Sequence, residues 1–261
     1  MTSTAQITRT TAHPVNLLRS VNSEFYKLWS AKLTKITSLL VIALSCAPVI
    51  AIVRLANIPL DSKVIFGTWG LSAIFFLVIA VAAVSAEYSH NTMRTTVLSD
   101  PRRTRAFFAK FLAVVAYSLL LAIVLAAALM TCTLLSKTPI SFSTQDIGPI
   151  CAFLGLCVGV AVMGLGFGYF LRSTAGGITA GVIVLQFLGL LTLIPLDFFQ
   201  KTLVYYLPGN LAQYAMNGSL MMPGATETSV PYNQAGALGI FVLYSLVVLL
   251  TGLVRFAKSD V

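Results

Sequence analysis

The chain is poor in charge. Of its 261 residues, 10% are Asp, Glu, Lys or Arg and 57% are hydrophobic, whereas an ordinary soluble domain carries roughly 25% charged residues. A water-soluble globular enzyme is excluded at the outset. Acidic residues number eight and histidines two, His13 and His90, which leaves little for acid-base catalysis or a histidine-rich metal centre. Glu87 and His90 have the spacing of two ligands on one helix face, but no second pair accompanies them, and no metal site is expected. No glycine is followed by lysine, so the phosphate-cradling GxxxxGK[ST] loop is missing, and no serine sits in a nucleophile elbow. Neither a catalytic residue nor a cofactor bound by this chain is expected. Cys46, Cys132, Cys151 and Cys157 form no CxxC and lie in apolar runs, which suits packing better than redox or metal chemistry.

What the sequence does have is apolar length. Six runs, at 36–53, 67–86, 111–135, 147–171, 176–196 and 235–254, are each of the order needed to cross a hydrocarbon core, about 20 residues as a helix. The expected fold is all-α: a polytopic membrane protein with an N-terminal segment at 1–35, a six-helix transmembrane domain at 36–254 and a short tail at 255–261. No Asp, Glu, Lys or Arg falls in these runs away from their ends. A gradient-driven carrier usually needs such residues at membrane depth, so the energy for any transport would come from a separate motor.

Charge sets the orientation. Connections at 54–66, 136–146 and 197–234 share one side and hold Arg54, Lys63, Lys137 and Lys201 against Asp61, Asp146, Asp197 and Glu227. The other thirteen of the 17 basic residues share the opposite side with only Glu24, Glu87, Asp100 and Asp260. Lys and Arg concentrate in the cytoplasm, which puts both termini and the 87–110 loop there, in a plasma membrane. The net charge of +9 then follows from topology, and nucleic acid is not an expected partner.

Residues 16–35 repeat apolar side chains at Leu17, Leu18, Val21, Phe25, Leu28 and Trp29, with Arg19, Ser23, Glu24, Lys27 and Ser30 on the other side. This is the pattern of an amphipathic helix, either lying in the membrane interface or packed on a neighbouring helix. Gly155 and Gly159, Gly164 and Gly168, and Gly177 and Gly181 are three GxxxG pairs, with Gly166 between, and suit close helix packing within or between subunits. Gln186, in the fifth run, needs a hydrogen-bond partner or a cavity. The 197–234 connection is too long for a turn, is cut by Pro208, Pro223 and Pro231, and carries an aromatic cluster at Phe198, Phe199, Tyr205 and Tyr206. Either short re-entrant helices or an ordered extracellular cap would satisfy it.

Between the second and third runs lies a polar island, 87–110, with Arg94, Arg102, Arg103, Arg105 and Lys110 and a break at Asp100-Pro101. Its residues Glu87-Tyr88, Asn91-Thr92, Arg94-Thr95-Thr96, Leu98, Pro101-Arg102-Arg103 and Ala109-Lys110 resemble the loop between the second and third helices of ABC-2 type transporter permeases, particularly those of actinobacteria. Leu171-Arg172-Ser173-Thr174-Ala175 and the long insertion before the last run agree with that pattern. Asn91 stands where the family commonly has Gly.

The resemblance implies a permease subunit of an ATP-driven exporter, paired with a second permease copy, identical or paralogous. Each copy docks on a cytoplasmic ATP-binding subunit, which holds the ATP and Mg. It implies a coupling helix over 87–105, with Glu87, Tyr88, Thr92, Arg94, Pro101, Arg102 and Arg103 contacting the motor. It also implies a connecting helix over 16–35, including Phe25, Lys27, Leu28 and Trp29, and external re-entrant helices in 197–234. A hydrophobic or amphipathic cargo (a drug, lipid or peptide) suits apolar spans in which Phe75, Phe76, Gln186 and Phe187 could line a cavity. A polytopic membrane enzyme and a non-transporting sensor or scaffold on an ATPase remain as alternatives.

Overall fold

A computed structural model describes residues 16–55, 65–89, 103–133, 146–220 and 230–258. Among these residues every regular element is helical. Helix α1, Leu17–Ser30, is followed after Ala31 by α2, Lys32–Leu55. Then come α3, Trp69–Ser89, α4, Arg103–Thr133, and α5, Ile147–Leu171. The fifth span opens as α6, Thr174–Val182. A ten-residue helix α7, Pro208–Asn217, precedes the last, α8, Gln234–Lys258. Among the described residues, six helices are long and apolar enough to cross a membrane, as the sequence predicts.

Helix α5 is the centre of the bundle and packs on α3, α4, α6, α7 and α8. Glycine makes that possible. A Cβ on Gly164 or Gly168 would stand 3.0–3.2 Å from the α3 backbone at Leu77 and Val81, and one on Gly166 would stand 2.6 Å from the Val248 carbonyl of α8. Gly177 and Gly181 of α6 face Val81 and Leu77 of α3, while Gly155 and Gly159 face Leu238 and Phe241 of α8. All three GxxxG pairs therefore join helices of one chain. Gly252 of α8, which no motif marks, completes the α5 contact: its Cβ would lie 2.7 Å from the Gly166 carbonyl.

Two expectations need correction. The fifth span is not one α-helix: after Val182 it becomes a π-helical turn, Ile183–Phe187, and then a 3-10 segment, Leu188–Leu193. Only 17% of its apolar stretch is buried within the chain, against 67% for α5, so few neighbours hold it to regular geometry. The third span also begins earlier than its hydrophobic run. Helix α4 starts at Arg103, so Arg103 and Arg105, expected in a coupling helix, belong to the opening turn of a transmembrane helix. A helix does not stop where hydrophobicity stops.

In the long connection before α8, a π turn at Phe199–Leu203, a single α turn at Val204–Tyr206 and α7 are all helical. Helix α7 buries Pro208, Leu211, Ala212, Ala215 and Met216 against α5 and α8. It is capped by Gly218 at φ +68°, the left-handed conformation that glycine adopts freely. Residues 221–229 lie outside the described residues.

Candidate functional site

The amphipathic leader settles the first side of the site. Helix α1 packs along α4, and its buried residues are Leu28 and Glu24. The assignment of Glu24 to the solvent side is thus corrected. Leu17, Val21, Glu24 and Leu28 follow the 4-3-4 spacing of a helix seam, and that spacing carried the signal for Glu24's position. Phe25 and Trp29 bracket Tyr117 of α4 at ring-centroid distances of 6.0 and 6.4 Å. Trp29 is half exposed, and Leu18 and Tyr26 on the outer face are more exposed still, an arrangement fitted to lipid on one side and protein on the other.

Glu24 is buried because a cation waits for it. Lys110 is 5% exposed and lies two turns into α4. Its Nζ stands 2.7 Å from Glu24 Oε2 and 2.7 Å from Glu87 Oε1, and donates to the Ala83 carbonyl at 3.1 Å. All three donor positions of the ammonium are filled. Lys27, more exposed, pairs with Glu24 one turn away on α1 and approaches Glu87 Oε1 at 3.5 Å. Among the described residues, two carboxylates and two ammonium groups thus join α1, the end of α3 and the start of α4.

The electrostatics follow from that geometry. Burial alone would raise the Glu24 carboxyl; Lys110, by charge and hydrogen bond, and Lys27 outweigh it and hold the group below its ordinary 4.5. Burial would lower Lys27, but its bond to Glu24 and the charges of Glu24 and Glu87 hold it above 10.5. A buried pair costs desolvation, so its value lies in specifying one arrangement more than in raw stability. The cluster is suited to act as a clamp.

A second set of contacts sits at the same end. The Arg172 guanidinium lies over the Tyr88 ring, 5.5 Å from its centroid, and Arg255 lies over Phe170 at 5.0 Å. Ser85 and Thr174 share a hydrogen bond of 2.7 Å. Arg172 ends α5 with φ 54°, a left-handed cap on a non-glycine residue, and returns its N–H to the Gly168 carbonyl. Two buried polar atoms here, Tyr88 Oη and Arg172 Nε, have no hydrogen-bond partner among the described residues.

The expected motor contacts divide. Glu87 and Tyr88 are the last turn of α3, not part of a separate coupling helix. Arg103 opens α4. Thr92, Arg94, Pro101 and Arg102, like His90, lie outside the described residues. The expected aromatic cavity is also corrected. Phe76 is 1% exposed and Phe75 packs against the core, while Phe187 is 56% exposed. Gln186 lines a cavity whose described lining includes none of the three phenylalanines.

Over residues 5–261 the chain matches the family described as ABC-2 family transporter protein. The chain belongs to the ABC-2 transporter family. No curated protein matches it. Membership of the ABC-2 family, with six apolar helices, makes the chain the multi-pass membrane subunit, or permease, of an ABC transporter, which pairs with an ATP-binding subunit. An ABC-2 permease is itself generally not catalytic, in keeping with a sequence that lacks a nucleotide-binding loop.

Proposed function

We propose that this permease is the membrane half of an ATP-driven exporter for hydrophobic or amphipathic compounds, working as two permease copies with two ATP-binding subunits that hold the ATP and Mg. Both termini and the 90–102 loop are cytoplasmic in this reading, because the basic residues concentrate on that side. The loop carries the coupling contact, with Thr92, Arg94, Pro101 and Arg102, while Glu87 and Tyr88 anchor its start.

The observation that supports it best is the four-residue ion-pair cluster. It ties together the two helices on either side of the loop, through Glu87 and Lys110, and adds α1 through Glu24 and Lys27. Displacement of the loop by a motor would move α1, α3 and α4 together. A connecting helix needs that linkage; a passive membrane anchor has no use for it. The second permease copy would cover the fifth span, whose Ile183, Phe187, Leu190 and Leu193 are exposed in the single chain.

The test is reconstitution. The chain, purified from its native host with its ATP-binding partner, is placed in vesicles, and ATP hydrolysis and flux of a fluorescent amphipathic dye are measured for wild type and Arg94→Glu. ATP-dependent outward-directed flux, one motor subunit per permease, and loss of flux with Arg94→Glu are expected. ATP hydrolysis with no flux of any amphiphile would favour a sensor or scaffold instead.

A further inference from the structure

At the other end of α3 the bundle holds a cavity of about 530 Å³. Trp69, which opens α3, lines it, and Glu87 is eighteen residues further along the same helix, roughly 27 Å away at 1.5 Å per residue. The cavity is thus remote from the ion-pair cluster. Its size falls within the range of roughly 300–1,000 Å³ usual for small-molecule sites.

The walls are built by irregular backbone. Gln186 and Leu185 come from the π-helical turn of the fifth span, and α7 closes the opposite side. A Cβ on Gly209 would stand 2.7 Å from the Leu185 carbonyl, so the start of α7 is seated directly on that turn. Non-α backbone at membrane depth is tolerated where it is covered by protein or lines a cavity, and π turns recur at functional sites.

The lining is polar without being charged. Gln186, Asn210, Gln213, Asn217 and Ser219 face it with Trp69, and no Asp, Glu, Lys, Arg or His is among the described lining residues. Two of the amides are oriented by their own bonds. Gln186 Nε2 donates to the Gly70 carbonyl and Asn210 Nδ2 to the Val204 carbonyl, each at 2.8 Å. A carbonyl can only accept, so Gln186 Oε1 and Asn210 Oδ1 are left as acceptors. Trp69 is 5% exposed, and its Nε1 is a buried donor with no partner among the described residues; Asn217 Oδ1 is a buried acceptor in the same position. Donors and acceptors are both present, and nothing in the described lining neutralises an ion. A charged group would lose its water shell here with no counter-charge among the described lining residues; a hydroxyl or amide would exchange one set of hydrogen bonds for another.

We propose that this cavity binds the uncharged headgroup of an amphiphile, one that carries hydroxyl or amide groups, with the apolar tail left outside the cavity. The proposal rests on the permease reading only for the ligand's role as cargo; binding itself requires no motor.

The full chain in lipid nanodiscs carries its own reporter. It has two tryptophans, Trp29 and Trp69, so a Trp29→Phe background reports from the cavity alone. The probe is a dodecyl glucoside brominated at carbons 4 and 5, which quenches an indole on contact. Dodecyl sulfate and dodecyltrimethylammonium brominated at the same carbons serve as the charged counterparts. Saturable quenching by the glucoside, at least tenfold tighter than by either ion, is expected. Gln213→Leu is expected to weaken it tenfold or more, and Gln213→Glu to shift the preference toward the ammonium probe. Gln213 makes no side-chain hydrogen bond to another described residue, so neither substitution removes an internal bond; an unchanged melting temperature checks the fold.

Equal quenching by all three probes overturns the proposal, as does glucoside binding unmoved by both substitutions. Saturable binding without any ATP-driven flux would leave the site standing and remove the exporter reading. Flux without saturable quenching would do the reverse.

Discussion

The carboxylate of Glu24, in the leader helix, lies 2.7 Å from the ammonium of Lys110, in the third membrane span, and both side chains are about nine-tenths buried. The pair pins α1 to the bundle at a fixed register.

Removing the buried cation takes the stronger of two shared lysines from the acids. Lys110→Met leaves Glu24 and Glu87 with Lys27, the more exposed lysine of the cluster, and breaking a buried pair this way costs about 3–5 kcal/mol. Adding Glu24→Gln and Glu87→Gln to Lys110→Met neutralises the two acids and is expected to recover part of the loss. Thermal unfolding of the purified protein measures both; a triple variant less stable than Lys110→Met alone would contradict the clamp.

The docking of α1 has a pH window. Glu24 is held below its ordinary value, so its contribution is present above 4.5 and is lost as pH falls through the lower docked value. Lys27 is held above 10.5, so its contribution is present below 10.5 and is lost as pH rises through the higher docked value. Trp29, 6.4 Å from the Tyr117 ring, reports docking. In a Trp69→Phe background its emission is expected to stay constant across neutral pH and to change only below 4.5 and above 10.5. A single transition near pH 7 would point to another group.

Helix α8 approaches α5 too closely for a methyl group. Gly166→Ala puts a Cβ 2.6 Å from the Val248 backbone, which has no side chain to swing away, and overpacking of this kind costs about 1–3 kcal/mol. At Gly148, in the same helix, nothing lies within 4 Å of the built Cβ. Gly148→Ala is expected to leave stability unchanged or raise it by up to about 1 kcal/mol. Melting temperatures of the two single variants decide the matter.

Tyr88 tests whether the orphaned atoms wait for a partner chain. Its hydroxyl is buried without a hydrogen bond among the described residues, and removing such a group is neutral or stabilising. Tyr88→Phe is expected to melt no lower than wild type on its own, yet to reduce coupled ATP hydrolysis several-fold if the motor supplies the acceptor. Unaltered hydrolysis would remove Tyr88 from the motor contact.

The membrane class was legible because it depends on a sum over residues. Six apolar runs and a one-sided distribution of Lys and Arg survive any local rearrangement, and the spans predicted at 147–171 and 235–254 differ little from α5 and α8. The small residues at Gly155, Gly159, Gly164, Gly168, Gly177 and Gly181 were legible as packing surfaces, but periodicity alone does not say which helix each one meets.

Sequence by itself determined that this chain is all-helical, lies in a membrane and brings no nucleotide-binding loop, because hydrophobicity, charge bias and a missing motif are properties of the linear chain. Tertiary structure decided where the charges go. Glu24 reads as a surface residue until α4 supplies Lys110, since burying a carboxylate is unfavourable unless a cation from elsewhere in the chain meets it. The same holds for Gln186, whose amide found the Gly70 carbonyl. Pairing over long sequence separations is set by how helices pack, and that packing is what turned scattered polar residues into a clamp at one end of the bundle and a cavity whose described lining is polar and uncharged at the other.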